Sequence, residues 1–165
     1  MAVNQKLFDL LQEQVTTELV AAQVYLQLAL HLEYASWEGT AAFFYAQAEE
    51  ERQHAMTFAR LLMERGHHIM LEAIPKTVLI GSLHDPVSAF REALEIERTN
   101  KIRIKILLKE ARDKSYFDLL EPLGKLLAEQ QTEVSEFMSQ LDILERIEGN
   151  AGALHAFDCR LLQSA

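Results

Sequence analysis

Glu51 and His54 stand three residues apart in the run Gln47-Ala48-Glu49-Glu50-Glu51-Arg52-Gln53-His54-Ala55-Met56. A carboxylate and an imidazole at that spacing share one face of a helix and can point at a single ion. The flanking residues show which face it is. Phe44 and Phe58 lie seven residues either side of Glu51, and Gln47 and Leu61 lie seven either side of His54. Both groups therefore interrupt a stripe that is otherwise due for burial. Taken alone, a Glu-x-x-His arises often by chance, and a solvated acidic run accounts for it equally well.

Three other segments repeat the anomaly. One stripe reads Leu11, Glu18, Tyr25, Leu32; a second reads Phe90, Glu97, Ile104, Ala111. A third segment carries two stripes, Leu123, Gln130, Phe137, Leu144 and Leu119, Leu126, Glu133. Each polar interruption falls near the middle of a long periodic segment. At about 1.5 Å rise per residue, the middles of aligned helices lie within a turn or two of one another. One layer of the core then holds four carboxylates and an imidazole, at several kcal/mol each unless they are protonated or paired. No lysine or arginine occupies the same stripes. Two divalent cations balance four carboxylates, and oxidation of both cations with uptake of one oxide leaves the balance unchanged. Such a site can tolerate two-electron chemistry with dioxygen. Carboxylate-rich ligation with one histidine suits iron or manganese, and zinc binds such a set too. The alternative is four unrelated glutamates on mis-phased stripes.

The elements that must position these residues are helices. Pro and Gly are sparse, at three and six residues, and the long periodic segments between them show no β-branched alternation. The pattern predicts an all-α four-helix bundle. Its first helix runs from Asn4, a good N-cap, to Glu33. The second begins after Ser36-Trp37-Glu38-Gly39 and ends near Gly66, which suits a C-cap. An irregular stretch follows from His67 to Asp85, with Pro75, Gly81 and the apolar Ile74, Val78, Leu79 and Ile80. It is too long for a tight turn and long enough to travel the length of a bundle, so it reads as a crossover between two helix pairs. Asp85-Pro86 supplies an N-cap and a proline at the first helical position for a third helix ending near Asp113. A short link through Ser115 leads to the fourth helix, which ends at Gly149, and Pro122 is tolerable there only in a first turn. The bundle spans about 4–148 and a short terminal helix about 151–163, within one domain covering 1–165. Leu154, Phe157, Leu161 and Leu162 of that last segment need a surface to pack on, because so short a helix is marginal alone.

Composition narrows the function classes. The chain has 165 residues, 49% of them hydrophobic, enough for a real core and too apolar for disorder. A net charge of -9, from 25 acidic and 16 basic residues, attracts cations and argues against a nucleic-acid partner. Cys159 is the single cysteine, so an internal disulfide or a Cys-ligated cluster within one chain is excluded. The segment from Met1 to Leu11 has acidic and amide residues where a signal peptide needs a basic start and an unbroken apolar run. Leu19 to Leu32 is interrupted by Gln23, Gln27 and His31 and is too short for a bilayer. The expectation is a cytoplasmic protein with no membrane partner.

The chain resembles ferritins over essentially its whole length, and the non-haem bacterial ferritins in particular. The resemblance rests on Glu18 with Tyr25 a heptad on, Glu51-x-x-His54, Glu97, and Gln130-x-x-Glu133 within Glu129-Gln130-Gln131-Thr132-Glu133. The crossover and the short terminal helix add to it. Ferritin-like carboxylate bundles are known for one Glu from each of two helices plus a Glu-x-x-His from each of the other two. The resemblance implies that Glu18 and His54 hold one iron, that Glu97 and Glu133 hold a second, and that Glu51 bridges them. Gln130 is implied as an outer ligand or hydrogen-bond partner, and Tyr25 as a nearby hydrogen-bonding or redox residue. It implies ferroxidase chemistry, in which dioxygen or peroxide oxidises Fe(II), and storage of the ferric product in a homo-oligomeric cage of 24 subunits. The fifth helix would then meet a four-fold axis, where His155 and Asp158 could stand, and Asp118 and Glu121 could line an entry pore. Bacterioferritins carry a histidine where this chain has Glu133, and a haem-binding methionine where it has Arg52, so haem is not expected. A third iron site would use Glu50 and Glu129, but Thr132 replaces a further glutamate common in the family and leaves that site incomplete. The main rival is another soluble di-iron or di-manganese oxidase or peroxidase; one of the rubrerythrin type would carry Cys-x-x-Cys pairs, which are absent. A non-catalytic bundle with a degenerate centre conflicts with the intact set Glu18, Glu51, His54, Glu97 and Glu133. A DNA-protecting mini-ferritin conflicts with the lack of a basic tail and with the segment after Gly149.

Overall fold

A computed structural model describes residues 5–76 and 85–164. Among these residues five helices follow in order: α1 (Gln5–Tyr34), α2 (Glu38–Met63), α3 (Pro86–Asp113), α4 (Phe117–Ile147) and α5 (Ala151–Ser164). Two very short links fold α1 against α2 and α3 against α4 as antiparallel pairs. Each link turns on a serine in the left-handed region, Ser36 at φ 64° and Ser115 at φ 62°. No glycine or asparagine marks these corners, so their geometry was not written in turn chemistry.

The crossover is visible in its contacts. His67 stacks on Phe8 with ring centroids 3.9 Å apart, near the start of α1. Gln12 then exchanges hydrogen bonds with the backbone of Met70, donating at 2.8 Å and accepting at 3.3 Å. Farther up, Gln23 donates to the carbonyl of Pro75 at 3.3 Å. The chain therefore climbs α1 before α3 begins, which makes α3 parallel to α2. Asn4 and the apolar residues Val78, Leu79 and Ile80 with Gly81 lie outside the described residues. Asp85 caps α3 as its sequence predicts, accepting from the Ser88 amide at 2.9 Å and the Ser88 hydroxyl at 2.8 Å. Gly66 (φ 76°) and Gly149 (φ 83°) take the left-handed conformation just past α2 and α4. Pro122 is the sixth residue of α4 rather than in its first turn, so the helix there forgoes one backbone hydrogen bond.

The apolar side chains form two bodies rather than one. Tyr25, Leu32, Phe44, Phe90, Phe137, Leu144 and Phe157 gather at one end of the bundle. Leu7, Leu11, Phe58, Ile104, Leu107, Leu119 and Leu123 gather at the other. Between them lies a layer of buried polar residues, Gln14, Glu18, Glu51, Glu97, Asn100, Gln130 and Glu133. The seven-residue stripes run through all three zones, which is why each reads apolar, polar, apolar.

α5 folds back across the start of α2. Gly39 makes this possible: a Cβ there would fall 1.8 Å from the carbonyl oxygen of Asp158. Asp158 is buried and caps α2 from outside, accepting from the Gly39 and Thr40 amides at 3.1 and 2.7 Å and from the Thr40 hydroxyl at 2.7 Å. Trp37, at the N-cap position, offers α2 no side-chain cap, so the orphaned amides of its first turn are satisfied by a helix more than a hundred residues later. The carboxylate also opposes the positive end of the helix dipole. Leu161 and Phe157 bury themselves against the same end of the core.

Candidate metal centre

The polar layer draws one acid from each helix of the bundle. Glu18 comes from α1, Glu51 from α2, Glu97 from α3 and Glu133 from α4, at 1, 1, 0 and 9% exposure. These positions are buried because the i, i+7 stripes carry the core face through the middle of the bundle. His54, one turn after Glu51, joins them from the same face of α2. Its Nδ1 lies 3.4 Å from Glu51 Oε2 and its Nε2 3.6 Å from Glu133 Oε1.

Two sets of ligand atoms lie within 4.8 Å of one another: Glu51 with Glu97 and Glu133, and Glu50 with His54 and Glu133. Glu133 belongs to both, and its Oε2 is buried with no hydrogen-bond partner. An orphaned carboxylate oxygen in a layer of acids fits a cation ligand. Glu97 is held on both sides, its Oε1 accepting from the Tyr25 hydroxyl and its Oε2 from Gln130 Nε2. Glu18 accepts from Gln14 Nε2 at 2.8 Å and from Asn100 Nδ2 at 2.9 Å.

Electrostatics agree with the geometry. Burial pushes the Glu18 carboxyl well above the usual range, and its neighbour Glu51 pushes it further. Glu51 is raised well by burial and then by Glu97. Glu97 is raised by burial, opposed by its bonds from Tyr25 and Gln130. Glu133 is pushed up to about 8, again by burial, with His54 opposing. Burial and the adjacent Glu97 also lift the Tyr25 hydroxyl well above its ordinary value. Among the described residues no lysine or arginine pairs with these four acids; their ion pairs run only to His54. The protein without cations therefore holds its acids partly as neutral carboxyls, and a pair of divalent cations would replace those protons. Hard oxygen donors with one imidazole suit Fe(II), Mn(II) or Zn(II).

A family model for the ferritin-like domain matches residues 8–147, a span that includes all four acids and His54. The chain belongs to the ferritin family. It is 30% identical over 161 residues to the bacterial non-heme ferritin of Staphylococcus epidermidis, covering 96% of this chain and 95% of that protein. Among solved structures it resembles a humanized archaeal ferritin (TM-score 0.92, 27% identity, 98% of this chain and 96% of that one). It also resembles a ferritin of Archaeoglobus fulgidus engineered into a closed form (TM-score 0.89, 26% identity, 98% and 97% covered).

Not every residue flagged in this ferritin sequence reaches the layer. Glu50 is exposed but lies beside His54 and Glu133. Glu129 is exposed on α4 and joins neither acidic set, while the Thr132 hydroxyl turns back to the Ala128 carbonyl at 3.2 Å. Asp118 is bound by Arg65, whose Nε donates to it at 3.0 Å, and Glu121 pairs with Lys125 at 2.8 Å, so both acids have partners within the chain. Asp158 is the cap of α2, whereas His155 is exposed with Nε2 3.6 Å from Cys159 Sγ. Gln14 and Asn100 are the residues the stripes did not flag. Gln14 stands four before Glu18 and Asn100 three after Glu97, so the one-turn neighbours of each acid carried the signal.

Proposed function

We propose that this ferritin stores iron and is a ferroxidase, oxidising Fe(II) at a two-iron site within each subunit. The observation that carries the reading is the buried layer of four acids, one from each bundle helix, with His54 beside them and with no lysine or arginine among the described residues paired to any of the four. Glu18 and His54 hold one Fe(II), Glu97 and Glu133 the other, and Glu51 bridges. Gln130 and Tyr25 steer the Glu97 carboxylate through their hydrogen bonds to it. Each Fe(II) gives one electron to dioxygen or peroxide, and the protein contributes proximity and charge balance. The Fe(III) product leaves for a mineral kept inside a homo-oligomeric cage of 24 subunits. Glu50, exposed next to His54 and Glu133, offers a carboxylate on the open side of the pair. No helix among the described residues is long and apolar enough to cross a membrane.

The test is anaerobic titration with Fe(II), followed by oxygen, beside light-scattering mass. Two irons per subunit oxidise in a fast phase, in a particle of roughly 450 kDa, 24 times the 18.8 kDa chain. Glu51→Ala removes the fast phase and leaves the particle intact. A monomer, or a wild type with no fast phase, refutes the reading.

A further inference from the structure

Glu18 is braced on both oxygens by buried amides from two helices. Its two oxygens each accept from a different amide, Gln14 on its own helix and Asn100 on α3. Both amides are 1% exposed. An amide can face either way, and here a third residue decides. Arg103 Nε donates to Gln14 Oε1 at 3.0 Å, which leaves the Gln14 NH₂ to face Glu18. Arg103 can only donate, so a flipped Gln14 would set NH₂ against guanidinium and carbonyl against carboxylate. Arg103 is itself held at the rim, with Nη2 3.5 Å from Glu13 Oε2. Glu97, Asn100 and Arg103 succeed one another at three-residue steps on α3. One face of α3 thus supplies a ligand, a brace on the opposite ligand, and the anchor of the second brace.

We propose that Gln14, Asn100 and Arg103 are positioning residues that fix the Glu18 carboxylate for the ion beside it; the proposal rests on the two-iron reading above. Two charge-assisted bonds consume about half of the acceptor capacity of a carboxylate and aim the remainder. The ion then meets an oxygen already in place. In metal sites generally, groups that orient ligands are worth about 10–100-fold in affinity. Glu133, with one oxygen unpartnered, has no such brace.

Co(II) titration of the metal-free protein, read by calorimetry and by the visible d–d spectrum, tests the assignment. Asn100→Leu and Gln14→Met keep side-chain volume while removing the donors. Each is expected to bind one of two Co(II) ions about 10–100-fold more weakly, with an altered spectrum, while the other ion binds as in the wild type. Arg103→Ala, at the rim, is expected to act in the same direction with a smaller loss, and Arg103→Lys, whose ammonium likewise can only donate, to lose less than Arg103→Ala. Thr99→Ala, exposed on the same helix, is the control and leaves both ions unchanged. Should the core variants not fold, Arg103→Ala decides alone. Wild-type affinities and spectrum in Arg103→Ala, or in folded Asn100→Leu and Gln14→Met, overturn the proposal while leaving the two-iron reading standing. A wild type that binds no pair of Co(II) ions overturns the reading beneath it instead.

Discussion

At the scale of single residues the centre is a set of carboxylates kept where carboxylates cost most. Glu133 shows the consequence. Its pKa is raised from 4.5 to about 8, so holding it neutral in the folded chain at neutral pH costs roughly 3 kcal/mol. Glu133→Gln removes the ionisable group while keeping its shape. The metal-free variant is expected to gain stability of that order at neutral pH in urea unfolding, and to bind one divalent ion fewer than the wild type in equilibrium dialysis. A variant that is less stable and still binds both ions would contradict this account of the layer. The same opposition between stability and function applies to Glu18 and Glu51, whose carboxyls are also raised by burial.

At the scale of elements, α5 is fastened to α2 by two features that must act together. Gly39 lets the backbones meet, and Asp158 satisfies the amides exposed by that meeting. Asp158→Ala is expected to cost about 1–2 kcal/mol, as lost caps do, and to speed hydrogen exchange at Gly39 and Thr40. Gly39→Ala is expected to do more, because the contact is with backbone that cannot turn aside; α5 should become protease-sensitive. Neither change touches the polar layer, so divalent-ion affinity should stay at the wild-type value. A loss of ion binding in Asp158→Ala would mean that α5 and the centre are coupled in a way the packing does not provide. The family resemblance allowed Asp158 to line a symmetry axis, and its capping of α2 from α5 could not be read from the sequence, since the contact joins positions 39 and 158.

At the scale of the whole molecule, the raised carboxyls set how stability varies with pH. A group whose folded pKa exceeds its unfolded value holds an extra proton in the native state. Its contribution is complete below the unfolded pKa and is lost as pH climbs through the folded value. For Glu133 that window runs from 4.5 to about 8, and Glu18, Glu51 and Glu97 shift in the same direction. The metal-free protein should therefore melt at progressively lower temperature as pH rises through this range. Divalent cations displace the same protons, so saturating Co(II) should flatten the dependence and its uptake should release protons at the acid end. Calorimetry with and without Co(II) checks both, and a metal-free melting temperature that rises across the window would refute the assignment.

Much of this was written in the order of residues. Stripes with a period of seven specified four long helices, and a glutamate in the middle of each specified a charged layer, because helical periodicity alone decides which residues share a face. The Asp85-Pro86 cap and the end of α2 near Gly66 were equally local, and both stand in the fold. What tertiary structure decided was everything that depends on which faces meet. It braced Glu18 with Gln14 and Asn100, left one oxygen of Glu133 unpartnered, turned Glu129 outward and spent Asp158 on a distant helix end. Those outcomes follow from contacts between residues far apart in the chain, and periodicity within one helix carries no record of its neighbours.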